Sequence, residues 1–190
     1  SVAENGSALT LTATLSGATD EEVTVGISTS GTGTEGTDYG TISDITISAG
    51  STTGTTSFTP TDDSNYEGSE TGIIAIDTVS GGSATENGTQ SVTITITVDE
   101  SAPTVTLTSS ASSIAENSGS SLTLTATLSG ATNANVTVAL STSGTGTEGT
   151  DYGTVSDITI TAGSTTRTVS FTPTDDSVYE GNETGIIAID

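Results

Sequence analysis

Apolar residues alternate with threonine or serine along most of this chain, a period of two that is typical of β-strands with one buried face. The alternating segments carry their apolar residues at Leu9, Leu11, Ala13 and Leu15, at Val23, Val25 and Ile27, at Ile45 and Ile47, and at Val92, Ile94, Ile96 and Val98. Glycine, aspartate, asparagine and serine separate these segments, as expected of turns. Because no segment shows helical spacing, the pattern predicts an all-β fold.

Two further segments are predicted strands of a different kind. Thr52–Pro60 is rich in threonine with Phe58 directed inward, and its proline indicates the end of a strand because it cannot donate to a ladder. Gly72–Val79 is a nearly continuous apolar run, which predicts a central strand buried on both faces.

The chain contains an internal repeat. Val23–Asp77 aligns without gaps to Val136–Asp190, an offset of 113 residues with eight differences, and Ala3–Leu9 matches Ala115–Leu122 with one inserted residue. One repeat is therefore about 113 residues, a usual size for a domain. About seven strands in each repeat predict tandem immunoglobulin-like antiparallel β-sandwiches, with a two-sheet barrel as the alternative.

The repeat predicts two domains, residues 1–101 and residues 102–190, and neither contains the whole repeat. The first has no counterpart of Ala102–Ser112, and the second has none of Thr78–Glu100, which removes its last strand. We therefore expect the chain to be a segment of a longer array of repeats. An incomplete sandwich leaves the backbone groups of an edge unpaired, so a strand from elsewhere would have to cover it.

Composition restricts the partners. The 190 residues include 24 acids and one base, Arg167, for a net charge of −23. One cation excludes binding to nucleic acids or to anionic membrane surfaces, and no apolar run of 18 residues exists for a membrane span. The chain has no cysteine, so it has no disulfides. So strong a negative charge is relieved by salt and bound cations, which predicts an extracellular or cell-surface location.

Catalysis has little support in this composition. The chain contains no histidine, cysteine or lysine, so the usual general bases and activators of nucleophiles are absent. A pair of carboxylates could serve glycoside hydrolysis, but that site needs a cleft with aromatic side chains. The four tyrosines and two phenylalanines are placed as core and corner residues. We therefore expect that the protein is not an enzyme.

A dense acidic loop is the strongest chemical signal. Thr59–Glu70 carries four carboxylates within nine residues, and Thr172–Glu183 repeats it almost unchanged. Calcium takes six to eight oxygen ligands, mostly from flexible loops, so Ca²⁺ is the natural partner, with a solvated acidic turn as the alternative. Asp62 and Asp63 would point to opposite faces in a strand, so only a loop lets both face one ion. Gly68 is expected to adopt an unusual backbone angle.

Together these motifs resemble the Calx-beta domain, a family known from sodium–calcium exchangers, an integrin subunit and bacterial extracellular proteins. The resemblance covers both repeats and rests on an Ala-Glu-Asn start, a Gly-Thr-Asp-Tyr loop, an Asp-Asp-x-x-Tyr-Glu-Gly-x-Glu loop and a terminal acidic pair. It implies a cluster of calcium ions bound by Glu4, Asp38, Asp62, Asp63, Glu67, Glu70, Asp99 and Glu100, and by Glu116, Asp151, Asp175, Asp176, Glu180 and Glu183. Asp99-Glu100-Ser101 has fewer acids than the end of the exchanger domains, so fewer ions are expected to bind. The second repeat lacks its terminal acids, so its site is expected to be incomplete in this chain.

Two further pairs of repeated residues, one of glutamates and one of tyrosines, are not predicted to bind calcium. Glu35 and Glu148, three residues before the aspartate of each Asp-Tyr pair, are interpreted as solvent-exposed charges. Tyr66 and Tyr179 precede a strand and resemble the tyrosine corner of sandwich folds.

The sequence thus predicts a calcium-binding structural repeat of a secreted or cell-surface array, such as an adhesin stalk, an extender or a matrix filament. Calcium would rigidify the inter-domain junctions, and the partners would be neighbouring Calx-beta repeats and other copies of the chain. One alternative is a filament subunit joined by strand complementation between copies. The other is a ligand-binding adhesive module, which would need an exposed aromatic or apolar patch. A regulatory calcium sensor is disfavoured, because near-identical repeats are more typical of a structural array than of a protein that changes state when it binds calcium.

Overall fold

A computed structural model describes residues 1–190 and consists almost entirely of strands and loops. Its internal contacts divide the chain into two compact units. Unit 1 contains Ser1–Asp63 and Glu67–Glu100, and unit 2 contains Ser64–Tyr66 and Ser101–Asp190. The single helix is a three-residue 3₁₀ turn, Glu116–Ser118, and no helix has the length and apolarity that a membrane crossing requires. The all-β fold predicted from the alternating pattern is confirmed.

Unit 1 contains seven strands in two sheets. They are β1 (Val2–Ala3), β2 (Leu9–Thr14), β3 (Val23–Gly31), β4 (Ile45–Ile47), β5 (Thr53–Phe58), β6 (Glu70–Ser80) and β7 (Ser91–Thr97). The larger sheet has the order β1-β7-β6-β3-β4, and the smaller sheet pairs β2 with β5. All pairs are antiparallel except β1 with β7, which is parallel. This is the immunoglobulin-like sandwich that the repeat predicts.

The core of unit 1 lies between its two sheets. Phe58 of β5 and the isoleucines Ile94 and Ile96 of β7 are buried there together with Tyr39. The rings of Tyr39 and Phe58 stack with their centroids 4.7 Å apart. Gly72 of β6 leaves room for the phenylalanine, because a Cβ at this position would lie 2.8 Å from Phe58 Cε2. The inward positions of the alternating pattern therefore form the contact between the sheets.

Strand β6 is less buried than its apolar run predicts. Gly72 and Ile74 are buried, whereas Ile73, Ala75 and Ile76 are partly exposed. β6 has a hydrogen-bonded neighbour on each edge, but only one of its faces packs against the other sheet. The prediction of burial on both faces is wrong, because a two-layer sandwich buries one face of each sheet.

Unit 2 repeats this plan with different edges. Its strands are β8 (Val105–Ser109), β9 (Leu122–Leu128), β10 (Val136–Val138), β11 (Leu140–Gly144), β12 (Ile158–Ile160), β13 (Thr166–Phe171) and β14 (Gly185–Ile189). β8 adds a third strand to the sheet of β9 and β13, while β10 pairs with β12 and β11 pairs with β14. β10 and β11 are the counterpart of β3 and are divided at Ala139, where β3 has a register shift after Gly26.

Candidate metal centre

Two groups of three carboxylates converge in unit 1. The first triad is Asp38, Glu67 and Glu70, and the second triad is Glu4, Asp99 and Glu100. Within each triad, one carboxylate oxygen from each residue lies within 4.8 Å of the others. Three negative charges this close repel one another, so the cluster has to hold a proton or bind a cation.

A tight loop after β3 positions Asp38 in the first triad. The Thr34 N–H donates to Asp38 Oδ2 at 2.6 Å, and the Thr61 N–H donates to the Asp38 carbonyl at 3.0 Å. The chain enters this loop at Gly31, whose φ is 121°. A Cβ there would lie 2.1 Å from the Thr71 carbonyl oxygen, so only glycine fits. Backbone N–H groups thus help to hold both the side chain and the carbonyl of Asp38 in place.

Glu35 braces the same loop. Its Oε2 accepts a hydrogen bond from Thr29 Oγ1 at 2.6 Å, and its Oε1 accepts one from the Ile42 N–H at 2.9 Å. Glu148 makes the two equivalent bonds in unit 2, at 2.7 and 3.1 Å. The interpretation of these glutamates as solvent-exposed charges is wrong, because both are half-buried acceptors that tie a strand to the loop. The recurrence of Glu-Gly-Thr-Asp-Tyr in both repeats is the signal that could have revealed this role.

Glu67 and Glu70 bring the acidic loop to the first triad. Gly68 between them has a φ of 78°, which confirms the unusual backbone angle expected at this position. Burial, followed by the negative charge of Asp38 and a hydrogen bond with it, raises the pKa of Glu70 to about 7. Near neutral pH and without a cation, the triad therefore retains part of a proton. A divalent cation would replace that proton, since metal ligands must be deprotonated.

The second triad combines a buried acid, Glu4, with the half-buried Glu100 and the exposed Asp99. Glu4 is 5% exposed, and its Oε1 accepts a hydrogen bond from the Asp63 N–H at 3.1 Å. Burial raises the pKa of Glu4, and this hydrogen bond opposes the effect. Asp99 accepts a hydrogen bond from the Asn5 amide, whereas Glu100 Oε2 is buried without a hydrogen-bond partner. A cation would satisfy that oxygen, and a site made only of oxygen donors fits Ca²⁺.

Unit 2 brings together one triad, which is the counterpart of the first. It consists of Asp151, Glu180 and Glu183. The Thr147 N–H donates to Asp151 Oδ2 at 2.6 Å, as in unit 1. Partial desolvation, followed by the charge of Asp151, raises the pKa of both Glu180 and Glu183. Both glutamates are exposed, so this triad is more open to solvent than the first triad of unit 1.

Glu116 takes the position of Glu4 but belongs to no triad. It is exposed, and its Oε1 accepts a hydrogen bond from the Asp176 N–H at 2.9 Å, the same contact that Glu4 makes with Asp63. The positions that correspond to Asp99 and Glu100 lie outside residues 1–190, so the structure shows Glu116 without them.

The structure brings nine of the fourteen predicted ligands into triads. The other five are Asp62, Asp63, Glu116, Asp175 and Asp176. Within the Asp-Asp pairs, Asp63 and Asp176 contact the cluster through a backbone N–H, and the side chains of Asp62 and Asp175 are exposed.

In each unit, the buried tyrosine is the one that belongs to the Asp-Tyr loop. Tyr39 is 1% exposed and Tyr152 is 4% exposed, and each ring packs against the phenylalanine of its unit. Tyr179 is 97% exposed, so its interpretation as a tyrosine corner is wrong. Tyr39 and Tyr152 anchor the loop because each directly follows the aspartate of the first triad or of its counterpart.

The Calx-beta domain family model matches residues 1–100 and, separately, residues 98–190. Among solved structures, CBD12 from CALX1.2 is similar at 22% sequence identity and a TM-score of 0.46, over 90% of this chain and 70% of that chain. The calcium binding domain CBD12 of CALX1.1 is similar at 23% identity and a TM-score of 0.46, over 92% of this chain and 72% of that chain. Comparison with curated proteins gave no match.

Proposed function

The chain belongs to the Calx-beta domain family, and from this premise we propose that it is a structural repeat whose bound calcium stiffens the junction that follows each unit. Calx-beta domains are calcium-binding modules rather than a catalytic family. The oxygen-only triads are compatible with Ca²⁺, which would supply the positive charge that holds their carboxylates together.

The second triad is the observation that carries the proposal. Asp99 and Glu100 follow β7 at the end of unit 1, and four residues separate Glu100 from the start of β8 in unit 2. Glu4 lies next to β1, at the other end of the unit 1 sequence. An ion bound by all three would fix the last residues of unit 1 to its body. The segment leading to β8 would then start from an ordered point rather than from a frayed strand end.

We place this repeat outside the cell, in a stalk, an extender or a matrix filament. Two properties support that setting. A net charge of −23 creates self-repulsion that bound cations relieve, and extracellular modules typically bind calcium at about 10⁻⁴–10⁻³ M. A chain that becomes stiffer in millimolar calcium would be extended outside the cell, and its array would hold whatever it carries at a distance from the surface.

The test is the extension of the whole chain in calcium and in chelator, measured by small-angle X-ray scattering. We expect a larger maximum dimension in calcium, because an ordered junction removes compact conformations. The double variant D99N/E100Q should lose this calcium effect while it still binds calcium at the first triad. Its matched control is D20N/E22Q, which removes the same two charges from an exposed turn and should extend as the native chain does.

Equal dimensions of the native chain in calcium and in chelator would contradict the proposal. So would a D99N/E100Q variant that extends in calcium as fully as the control, because the junction would then not depend on the second triad.

A further inference from the structure

One pair of threonines fixes the start of the loop that carries Asp38. The Thr71 N–H donates to Thr32 Oγ1 at 2.9 Å, and the Thr32 N–H donates to Thr71 Oγ1 at 3.3 Å. Thr71 directly follows Glu70, a member of the first triad. The same two hydrogen bonds recur in unit 2, at 2.9 and 3.2 Å. The first residue of the loop is therefore tied to the strand that presents Glu70.

The rest of the loop depends on Glu35. Its two carboxylate oxygens accept hydrogen bonds from Thr29 Oγ1 of β3 and from the Ile42 N–H. Asp38 lies between Glu35 and Ile42 in the sequence, so these two bonds close the segment that contains it. Hydrogen bonds to a carboxylate are shorter and stronger than those between neutral groups. One half-buried side chain thus holds both ends of this segment against β3.

Glu35 also fixes the residue that orients the ligand. Thr34 directly precedes it. The Thr34 N–H donates to Asp38 Oδ2 at 2.6 Å, and the Thr34 carbonyl accepts a hydrogen bond from the Asp38 N–H at 2.9 Å. Tyr39, on the other side of Asp38, is buried in the core and holds the backbone there. The direction of the Asp38 carboxylate therefore depends on where Thr34 lies, and Glu35 sets that position through the peptide bond that the two residues share.

Unit 2 repeats the contacts of this glutamate. Glu148 accepts hydrogen bonds from Thr142 Oγ1 and from the Val155 N–H. The Thr147 N–H donates to Asp151 Oδ2. The triad of unit 2 is more open to solvent than the first triad of unit 1, so these contacts do not depend on the burial of the ligands. Neither glutamate belongs to a triad, so both are placed to orient a ligand without binding the ion.

We propose that Glu35 is a positioning residue that sets the calcium affinity of the first triad, and that Glu148 has this role in unit 2. The effect on affinity rests on the proposed function, whereas the restraint on the loop does not depend on calcium. A ligand that is held in place before the ion arrives loses less conformational freedom when it binds. Removal of the restraint should therefore leave all three carboxylates of the triad in the chain but weaken their binding of calcium.

A calcium titration of the whole chain followed by two-dimensional NMR tests this role. The amides of Thr34 and Thr147 donate to the triad aspartates of their own units, so each reports one site in the same sample. E35A should weaken the calcium binding reported by Thr34 by about tenfold, the lower end of the usual effect of residues that orient metal ligands. The binding reported by Thr147 should not change, and E148A should give the reverse result.

Three further variants separate positioning from charge and from folding. E35Q keeps an oxygen for the Ile42 N–H and gains an amide that can donate to Thr29 Oγ1, so it should recover most of the lost affinity. T29V removes one of the two bonds without changing the loop. It should lose less affinity than E35A, and it tests the same role if E35A does not fold.

D44N is the matched control. The exposed Asp44 also accepts a backbone hydrogen bond in unit 1, from the Ile27 N–H at 3.0 Å, but it lies outside the segment that Glu35 closes. D44N therefore removes one acid and one backbone contact, as E35A does, and should bind calcium at Thr34 as the native chain does.

Hydrogen exchange of the Thr34 amide in chelator tests the restraint without an ion. E35A should speed this exchange, and E35Q should preserve most of the protection. Unchanged exchange in E35A, unchanged calcium affinity at Thr34, or an equal loss of affinity in D44N would each overturn the positioning role. So would an equal loss in E35Q and E35A, because the charge of Glu35 rather than its hydrogen bonds would then set the affinity.

The outcomes also separate this inference from the proposed function. A native chain that binds calcium at both amides, with E35A unaffected, overturns the role of Glu35 and leaves the proposed function standing. If neither Thr34 nor Thr147 responds to calcium in the native chain, calcium binding at these triads fails and the effect on affinity fails with it. The exchange in chelator then still decides whether Glu35 holds the loop.

Discussion

The two units have nearly the same sequence and differ in the site that they build. Asp38, Glu67 and Glu70 form a triad in unit 1, and their counterparts form one in unit 2. The second triad exists in unit 1 alone, where Glu4 is 5% exposed beside the end of β7, while its counterpart Glu116 is exposed. Local loop sequence is thus sufficient for the first triad, whereas the second triad requires a strand from the far end of the repeat.

Strand pairing explains why Glu4 and Glu116 differ. Val2–Ala3 pairs in parallel with β7, and this pairing carries Glu4 to the terminal acids. Residues 1–190 do not extend to the counterpart of β7 in the second repeat, and Glu116 begins a 3₁₀ turn instead of following a strand. Glu183 is exposed, whereas Glu70 is half-buried. Strand β7 therefore brings the terminal acids to Glu4 and lies beside the Glu70 end of β6 in unit 1.

The largest expected effect is a difference in calcium stabilisation between the units. An ion at 100 times its Kd adds about 2.7 kcal/mol to the free energy of unfolding. Two triads should therefore add about 5 kcal/mol to unit 1, and one triad about half as much to unit 2. Hydrogen exchange of the β5 and β13 amides in calcium and in chelator would report the two units separately. Equal protection of both strands would show that the second triad binds no ion of its own.

The stability of unit 1 without calcium should depend on pH, which is a second way to distinguish the two units. Burial and the neighbouring Asp38 raise the pKa of Glu70 to about 7 from its ordinary 4.5, so without calcium the folded unit 1 holds a proton that the unfolded chain has lost. The stability of calcium-free unit 1 should therefore be highest below pH 4.5 and decrease as the pH rises through 7.

Calcium affinity should show the opposite trend, because the proton competes with the ion. We expect the affinity of the first triad to fall by about tenfold for each pH unit below 7. Isothermal titration calorimetry between pH 5 and 8 would measure it. A pH-independent affinity would mean that Glu70 is not a ligand. Unit 2 should depend less on pH, because Glu183 is exposed.

A smaller effect concerns a difference outside the acidic cluster. Gly54 in β5 corresponds to Arg167, which is exposed in β13. A Cβ at Gly54 would lie 2.4 Å from the Thr46 carbonyl oxygen, so G54A should destabilise unit 1 by about 1–3 kcal/mol through overpacking. The matched variant R167A should change unit 2 by less than about 0.5 kcal/mol. Urea denaturation would measure both, and a neutral G54A would show that β4 can move away from β5.

Period-two alternation predicted the strands well because inward positions in a sandwich recur at every second residue. Phe58, Ile94 and Ile96 are buried as that pattern requires. The acids of the first triad could be predicted because two short motifs hold them. The role of Asp63 could not, because adjacent aspartates look equivalent in sequence, and it is a backbone N–H that contacts Glu4. The role of Glu35 could not be predicted for a similar reason, because the hydrogen bonds of a half-buried acceptor leave no periodic pattern in the sequence.

The smallest expected effect isolates the charge of one ligand. E4Q keeps an oxygen that can accept the Asp63 N–H but removes a negative charge from the second triad. In chelator the variant should be slightly more stable than the native chain, because burial disfavours the ionised Glu4. In calcium it should bind the ion of the second triad about tenfold more weakly, or about 1.4 kcal/mol.

E116Q is the matched control, since Glu116 makes the same backbone contact without a triad around it. Calorimetric titration should show little change in its calcium binding. If both variants lost calcium affinity equally, Glu116 would bind calcium without terminal acids beside it. The difference between Glu4 and Glu116 in calcium binding would then not depend on β7. If only E4Q lost affinity, the terminal acids beside Glu4 would account for the difference between the two glutamates.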